Sequence, residues 1–222
     1  MGQLTLLDKI GYALLLVILG LGLYFAFTDA NFFDNTYTRE DGAVEYSTSI
    51  MLFFIALLCI SRLRKLNKYK PLLWKLGVLG FALIFIFGAG EEISWGQRIF
   101  GIESGDFFKE NNAQEETNLH NLVVGGTKLN KLIFSQLLMI VMLMYLLIMP
   151  ILYRKKENIK NLLNKCAVPV VKWHHTIAFI MCTVLVLIIP SSRKWELYEL
   201  AFGVIFFLIF LNPLNHYIFK KD

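Results

Sequence analysis

Residues 72–98 read LLWKLGVLGFALIFIFGAGEEISWGQR. After Lys75 no charge appears until Glu91, about 16 residues or roughly 24 Å of helix later. A helix at an aqueous surface spaces its apolar residues three or four apart. Here they are continuous, and a run of this length predicts a membrane-spanning helix, which needs about 20 apolar residues. Five more blocks read the same way, at about Ile10–Thr28, Ala43–Ile60, Leu132–Tyr153, His174–Pro190 and Leu197–Leu211, the last two short and reaching into polar flanks. The chain has 222 residues, of which 56% are hydrophobic and 18% charged, too little charge to cover a soluble domain of this size. No block alternates polar and apolar at period two, which argues against a β-barrel. The predicted fold is all-α: a polytopic helix bundle with about six transmembrane helices. It forms one domain over residues 1–222, with an outer polar segment at about 91–131.

Charge orients the bundle. With the N-terminus in the cytoplasm, the inner segments carry Lys9, the cluster from Arg62 to Lys75, the cluster from Arg154 to Lys172, and Lys220 and Lys221. Fifteen of the 22 lysines and arginines fall there, while 14 of the 17 acids fall outside or at outer helix ends. That asymmetry predicts both termini in the cytoplasm and a location in the inner (cytoplasmic) membrane. It also accounts for the net charge of +5 without a nucleic-acid partner, because basic loops lie against anionic lipid. The first apolar block follows Lys9 and lacks a small-residue cleavage site, so it reads as a retained helix. The strip 155–172, with Ile159, Leu162, Leu163 and Cys166 at helical spacing, reads as a basic amphipathic linker on the inner surface. Cys59, Cys166 and Cys182 show no CxxC spacing and suggest neither a disulfide framework nor a thiolate metal site.

Glu91 and Glu92 are the anomaly. At the end of an apolar run they lie a turn or more below the outer boundary, where a charge costs roughly 2.5–3.5 kcal/mol even on lenient scales. If the helix continues, Glu91, Trp95 and Arg98 share a face, which predicts a Glu91–Arg98 clamp and leaves Glu92 for function. Two other helices bring acids to the same depth. Asp41, Glu45, Thr48 and Ser49 form a polar stripe at the start of the second span. Glu196, Glu199 and Gly203 share a face of the sixth, although snorkelling alone explains Asp41 and Glu196. In the outer segment Glu116 and His120 stand at i, i+4. His174, His175 and His216 fall at cytoplasmic ends, where the first two read as interfacial anchors, so a three-histidine zinc site is not available outside. The expected metal set is Glu45, Glu92, Glu199, His120 and Glu116, which suits Mn, Mg or Ca and less readily Zn. Glu92, Glu91 and His120 are the catalytic candidates; Arg98, Gln97, Trp95 and Asn121 are the substrate-binding ones. An ordinary helix-surface histidine is the plainer reading of His120.

The runs EDGAVE (residues 40–45), GEEISWGQR (90–98) and NAQEETNLHN (112–121) resemble a family of uncharacterised bacterial multi-pass membrane proteins. The resemblance covers most of the chain and implies no activity. CAAX-type intramembrane proteases share only a partial motif: Arg98 comes two positions late for EExxxR, Glu116 stands where Phe is wanted, and no histidine has Asn or Asp at i+4. Glu92, Gln97, Asn121 and Gly125 fit the VanZ-like pattern loosely. Three classes of function stay open: a metal-dependent hydrolase or transferase acting on a lipid or lipid-linked substrate, a non-catalytic partner of another membrane protein, and a proton- or cation-coupled transporter. The membrane lipid is the expected partner in each, and a divalent metal ion the expected cofactor of the first.

Overall fold

A computed structural model describes residues 4–119, 121–124, 127–128 and 138–221, with backbone only at 124, 127, 128 and 138. The chain is helical, and among the described residues three helices are long and apolar enough to cross a membrane: α1 (Leu6–Thr28), α2 (Ala43–Leu66) and α3 (Leu72–Glu92). They are followed by α4, a continuous helical run over 138–155, then α5 (Trp173–Ile188) and α6 (Lys194–Leu211). α5 is apolar but shorter, with 16 residues. α6 carries Lys194, Glu196 and Glu199 in its first turns, yet it is the most buried helix, with neighbours α1, α2 and α5 around it. One apolar cluster joins α1, α5 and α6 through Leu15, Leu19, Val186, Val204 and Leu208. A second joins α2, α3 and the far end of α6 through Ile55, Trp74, Val78 and Phe210.

Local chemistry sets the helix limits. Thr5 caps α1 in a reciprocal pair with Asp8, satisfying amides that a helix start leaves open. Pro71 precedes α3 and fixes its entry. Pro150 lies inside α4, although its position suggests a span end. It cannot donate to the Leu146 carbonyl, so the helix widens into a π-turn over Met144–Ile148. Thr176 of α5 supplies the missing donor, its hydroxyl bonding Leu146 O at 3.0 Å. The basic linker between α4 and α5 forms a surface helix, Glu157–Lys165, and the carbonyl of Cys166 packs against Gly77 of α3 in the space a Cβ would take. Outside the helices a two-residue antiparallel ladder pairs Val123–Val124 with Thr127–Lys128, and the fold class is all-α as expected.

The continuation of α3 to Arg98 does not occur. The helix stops at Glu92, and Ser94 (φ 46°), Trp95 (φ 56°) and Gly96 (φ 78°) are all left-handed. Only the glycine takes that conformation without cost. The turn folds Trp95 back over Gly90, where a Cβ would meet the indole ring at 2.8 Å.

Candidate functional site

Two opposite ends of the bundle can be distinguished by what they bury. At one end the start of α2, the end of α3 and the start of α6 meet, bringing Glu45, Glu92, Glu196 and Glu199 to a single cavity. Glu40, Glu91, Gln114, Asn118 and Asn121 complete its lining. The cavity measures about 30 Å³, room for one ion or about two waters. The close approach that aligns α2 with α6 depends on Gly203, where a Cβ would stand 3.2 Å from Met51 Cβ. On the other side of α2, Ser49 donates to the Ala89 carbonyl of α3 at 2.8 Å. Glu92 and Glu199 have no hydrogen-bond partner among the described residues, and Glu45 accepts only the Asp41 amide. Glu91 is engaged differently: Trp95 Nε1 donates to Oε1 at 2.8 Å and the Leu119 amide to Oε2 at 2.6 Å.

The described part of the segment that follows α3 closes the cavity as a hydrogen-bonded cover. Its hub is Glu116, 5% exposed. Arg98 Nη2 pairs with one of its oxygens, while Ser94 Oγ donates to the other at 2.8 Å and Asn118 Nδ2 at 2.7 Å. Asn121 bridges Glu116 and the Gln114 carbonyl oxygen, and Gln114 in turn donates to Glu40. Arg98 Nη1 holds Asp41. The clamp expected between Glu91 and Arg98 is therefore replaced by Asp41–Arg98–Glu116, because the break after Glu92 swings Arg98 away from the α3 face. Gln97 accepts the Thr117 amide at 2.6 Å and donates to Ser104 Oγ at 2.8 Å. The polar groups of Arg98 and Gln97 are thus occupied within the cover, and Glu116 is a strut beneath it.

At the rim, burial pushes the Glu40 carboxyl up, but the hydrogen bond and charge of Arg193, helped by Gln114, more than offset it and hold the group below the ordinary glutamate range. The Arg193–Glu40 contact is 3.1 Å. Among the expected site residues, Glu45, Glu91, Glu92, Glu199 and Asn121 come together at the cavity. Trp95 lies beside it, and His120 falls outside the described residues. Glu40, Gln114, Asn118 and Glu196 join the lining although they are not among the expected catalytic, binding or metal residues. Glu196 carried a signal, since it shares a helix face with Glu199; the amides carried none, because their placement depends on the cover's turns.

The opposite end is not the plain interface that its histidines suggest. His175 is fully buried and Asp8 is 1% exposed beside it.

No family model, curated protein or solved structure matches the chain.

Proposed function

We propose that the chain crosses the inner membrane six times with both termini cytoplasmic, and that its outward-facing glutamate cage holds a hard divalent cation with which it acts on a lipid or lipid-linked substrate as a hydrolase or transferase. The observation that carries this is the cage itself. Six carboxylates from Glu40 to Glu199 line one small cavity, and Arg193 at its rim pairs with two of them, Glu40 and Glu196. So much negative charge in one place needs a cation or protons to neutralise it, and oxygen donors in that number suit Mg²⁺, Ca²⁺ or Mn²⁺. The carboxylates do not form a set of three with ligand oxygens all within 4.8 Å. A cation that keeps some of its water, as Mg²⁺ commonly does, therefore fits better than a bare one.

In this reading Glu45, Glu92 and Glu199 are the ligands. Glu92, at the broken end of α3, is also placed to take a proton from water. The cation would polarise a carbonyl or phosphoryl oxygen. A lipid substrate is supported by the exposed apolar side chains beside the cover, Trp95, Ile99, Phe100, Ile102 and Phe107. They would lie in the headgroup layer, where an aromatic ring has both apolar and polar surroundings. The six-span topology is supported by the positive-inside charge bias and by three helices that meet span length and apolarity. The same rim would also suit a partner subunit, which is the second reading.

The test is Mn²⁺ titration of the purified chain by electron paramagnetic resonance. Incubation in phosphatidylethanolamine–phosphatidylglycerol vesicles, with lipid products read by mass spectrometry, completes it. Saturable binding and Mn²⁺-dependent products are expected, both lost in Glu92→Gln. No Mn²⁺ binding by the folded chain, or binding unchanged in the Glu92→Gln/Glu199→Gln double variant, refutes the cage reading. Binding without any lipid product, together with a stoichiometric co-purifying membrane protein, would favour the partner reading.

A further inference from the structure

At the end of the bundle away from the glutamates, Asp8 of α1 meets His174 and His175 at the start of α5. The two oxygens of Asp8 live differently. Oδ2 accepts from the Thr5 amide and hydroxyl, each at 2.8 Å, and from Asn212 Nδ2 at 3.2 Å. Oδ1 is buried and accepts from nothing, and Nε2 of His174 and Nε2 of His175 are likewise buried without a partner. His175 Nε2 stands 3.8 Å from Oδ1, too far for a hydrogen bond. No lysine or arginine among the described residues pairs with this carboxylate.

Buried polar atoms are nearly always satisfied, and three unsatisfied ones at a single place call for an occupant. These three have a common chemistry. One ligand atom from each side chain lies within 4.8 Å of the other two. Two imidazoles and a carboxylate form a ligand set of the kind that holds zinc with a position left open.

We propose that Asp8, His174 and His175 bind a transition-metal dication of the zinc class, tying the starts of α1 and α5 to the end of α6. The surroundings support it. Tyr12 shares a 2.7 Å hydrogen bond with His174 Nδ1. With the Nδ1 proton donated to that hydroxyl, Nε2 keeps its lone pair for the ion; metal-binding histidines commonly donate their other ring proton in this way. His175 has to adjust. The Lys172 amide leans on its Nδ1 at 3.3 Å, so binding through Nε2 moves the ring proton to Nδ1 and gives up that long contact. The dication also neutralises the buried carboxylate. Asn212, by holding Oδ2, keeps Oδ1 turned toward the histidines. None of these residues belongs to the glutamate cage, so the two sites stand or fall separately.

The experiment uses the full chain in detergent, stripped with a chelator and then titrated with Co²⁺ while visible absorption is followed. Zn²⁺ displacement and elemental analysis give the stoichiometry. One tightly held equivalent is expected, retained in the Glu92→Gln/Glu199→Gln double variant and lost in His174→Ala and Asp8→Asn. Tyr12→Phe, which removes a hydroxyl and leaves both rings, should weaken binding about 10-fold, and it serves if either ligand variant misfolds. Three results overturn the proposal: no uptake of Co²⁺ or Zn²⁺ by the folded chain, which would assign the three atoms to bridging water; an ion held equally well by His174→Ala, Asp8→Asn and Tyr12→Phe; or an ion lost only when the cage glutamates are changed.

Discussion

Removing the Arg98 side chain should loosen the cover over the glutamate cage, and the size of the effect follows from its two contacts. One arm reaches Asp41, with side-chain exposures of 43% and 26%; the other reaches Glu116, which is 7% exposed. The Asp41 arm is open to solvent and contributes about 0.5 kcal/mol. The Glu116 arm is a charge-assisted bond to a buried carboxylate, in a range of about 1.5–3 kcal/mol. It falls short of the roughly 3–5 kcal/mol for breaking a wholly buried pair, since Arg98 itself is partly exposed and Glu116 keeps its bonds from Ser94 and Asn118. Arg98→Ala should therefore cost about 2–3 kcal/mol. Arg98→Lys should recover the Asp41 arm but not the fork, because an ammonium is a point charge. Reversible unfolding in mixed detergent micelles, followed by tryptophan fluorescence, measures both. The decisive comparison is a double-mutant cycle with Glu116→Gln, which removes the charge left stranded by Arg98→Ala. A coupling energy of at least about 1 kcal/mol is expected. Coupling below about 0.3 kcal/mol, or a cost of Arg98→Ala under 0.5 kcal/mol, would show that the cover is held by its amides alone.

Gly77 and Gly80, three residues apart on α3, should respond in opposite directions. A Cβ at Gly77 would overlap the Cys166 carbonyl, whereas one at Gly80 meets nothing within 4 Å. Gly77→Ala should destabilise by about 1–3 kcal/mol and Gly80→Ala should stabilise by up to about 1 kcal/mol, measured by the same unfolding assay; equal effects would contradict the packing of the linker between α4 and α5. Thr176→Val leaves the Leu146 carbonyl without its cross-helix donor and should cost about 1–3 kcal/mol. No change relative to the wild-type chain would mean that water reaches that carbonyl. Glu40 ties stability to pH. Its carboxyl is held below the ordinary value of 4.5 when folded, so its contribution is complete above that value and fades as pH falls through the lowered one. The stability difference between wild type and Glu40→Gln, at most about 1 kcal/mol for so exposed a pair, should be constant from pH 7 to about 5 and shrink below about pH 4. A difference that grows on acidification would reverse the sign and reject the Arg193 pairing.

The meeting of Glu45, Glu92 and Glu199 is legible in the sequence because it follows from two facts that need no coordinates. Helices that run antiparallel bring alternate ends together, and a carboxylate near the end of an apolar helix has few places to go. The Glu91–Arg98 clamp was not legible in its true form. A reading by helical periodicity carries on until a breaker appears, and between Glu92 and Gly96 the sequence offers neither proline nor an earlier glycine. What stops α3 is tertiary: Ser94 turns toward Glu116 and Trp95 lies down on Gly90. For the same reason the roles of Asn118 and Gln114 were hidden, since an amide's partner is decided by turns with no periodic signature. Asp8 was hidden in another way. Beside Lys9 at a chain start it reads as part of a solvated flank, whereas the capping pair with Thr5 draws it inward against His175.

α6 carries two acids in its first turns, yet its neighbours enclose it more fully than any other helix among the described residues. Its two acids fit only once α2 and α3 are in place, and those helices are synthesised well before it. Without α6, Glu45 and Glu92 would face an unfilled notch, and the packing of α6 against α2 closes it. Completion of the cage is thereby coupled to completion of the bundle.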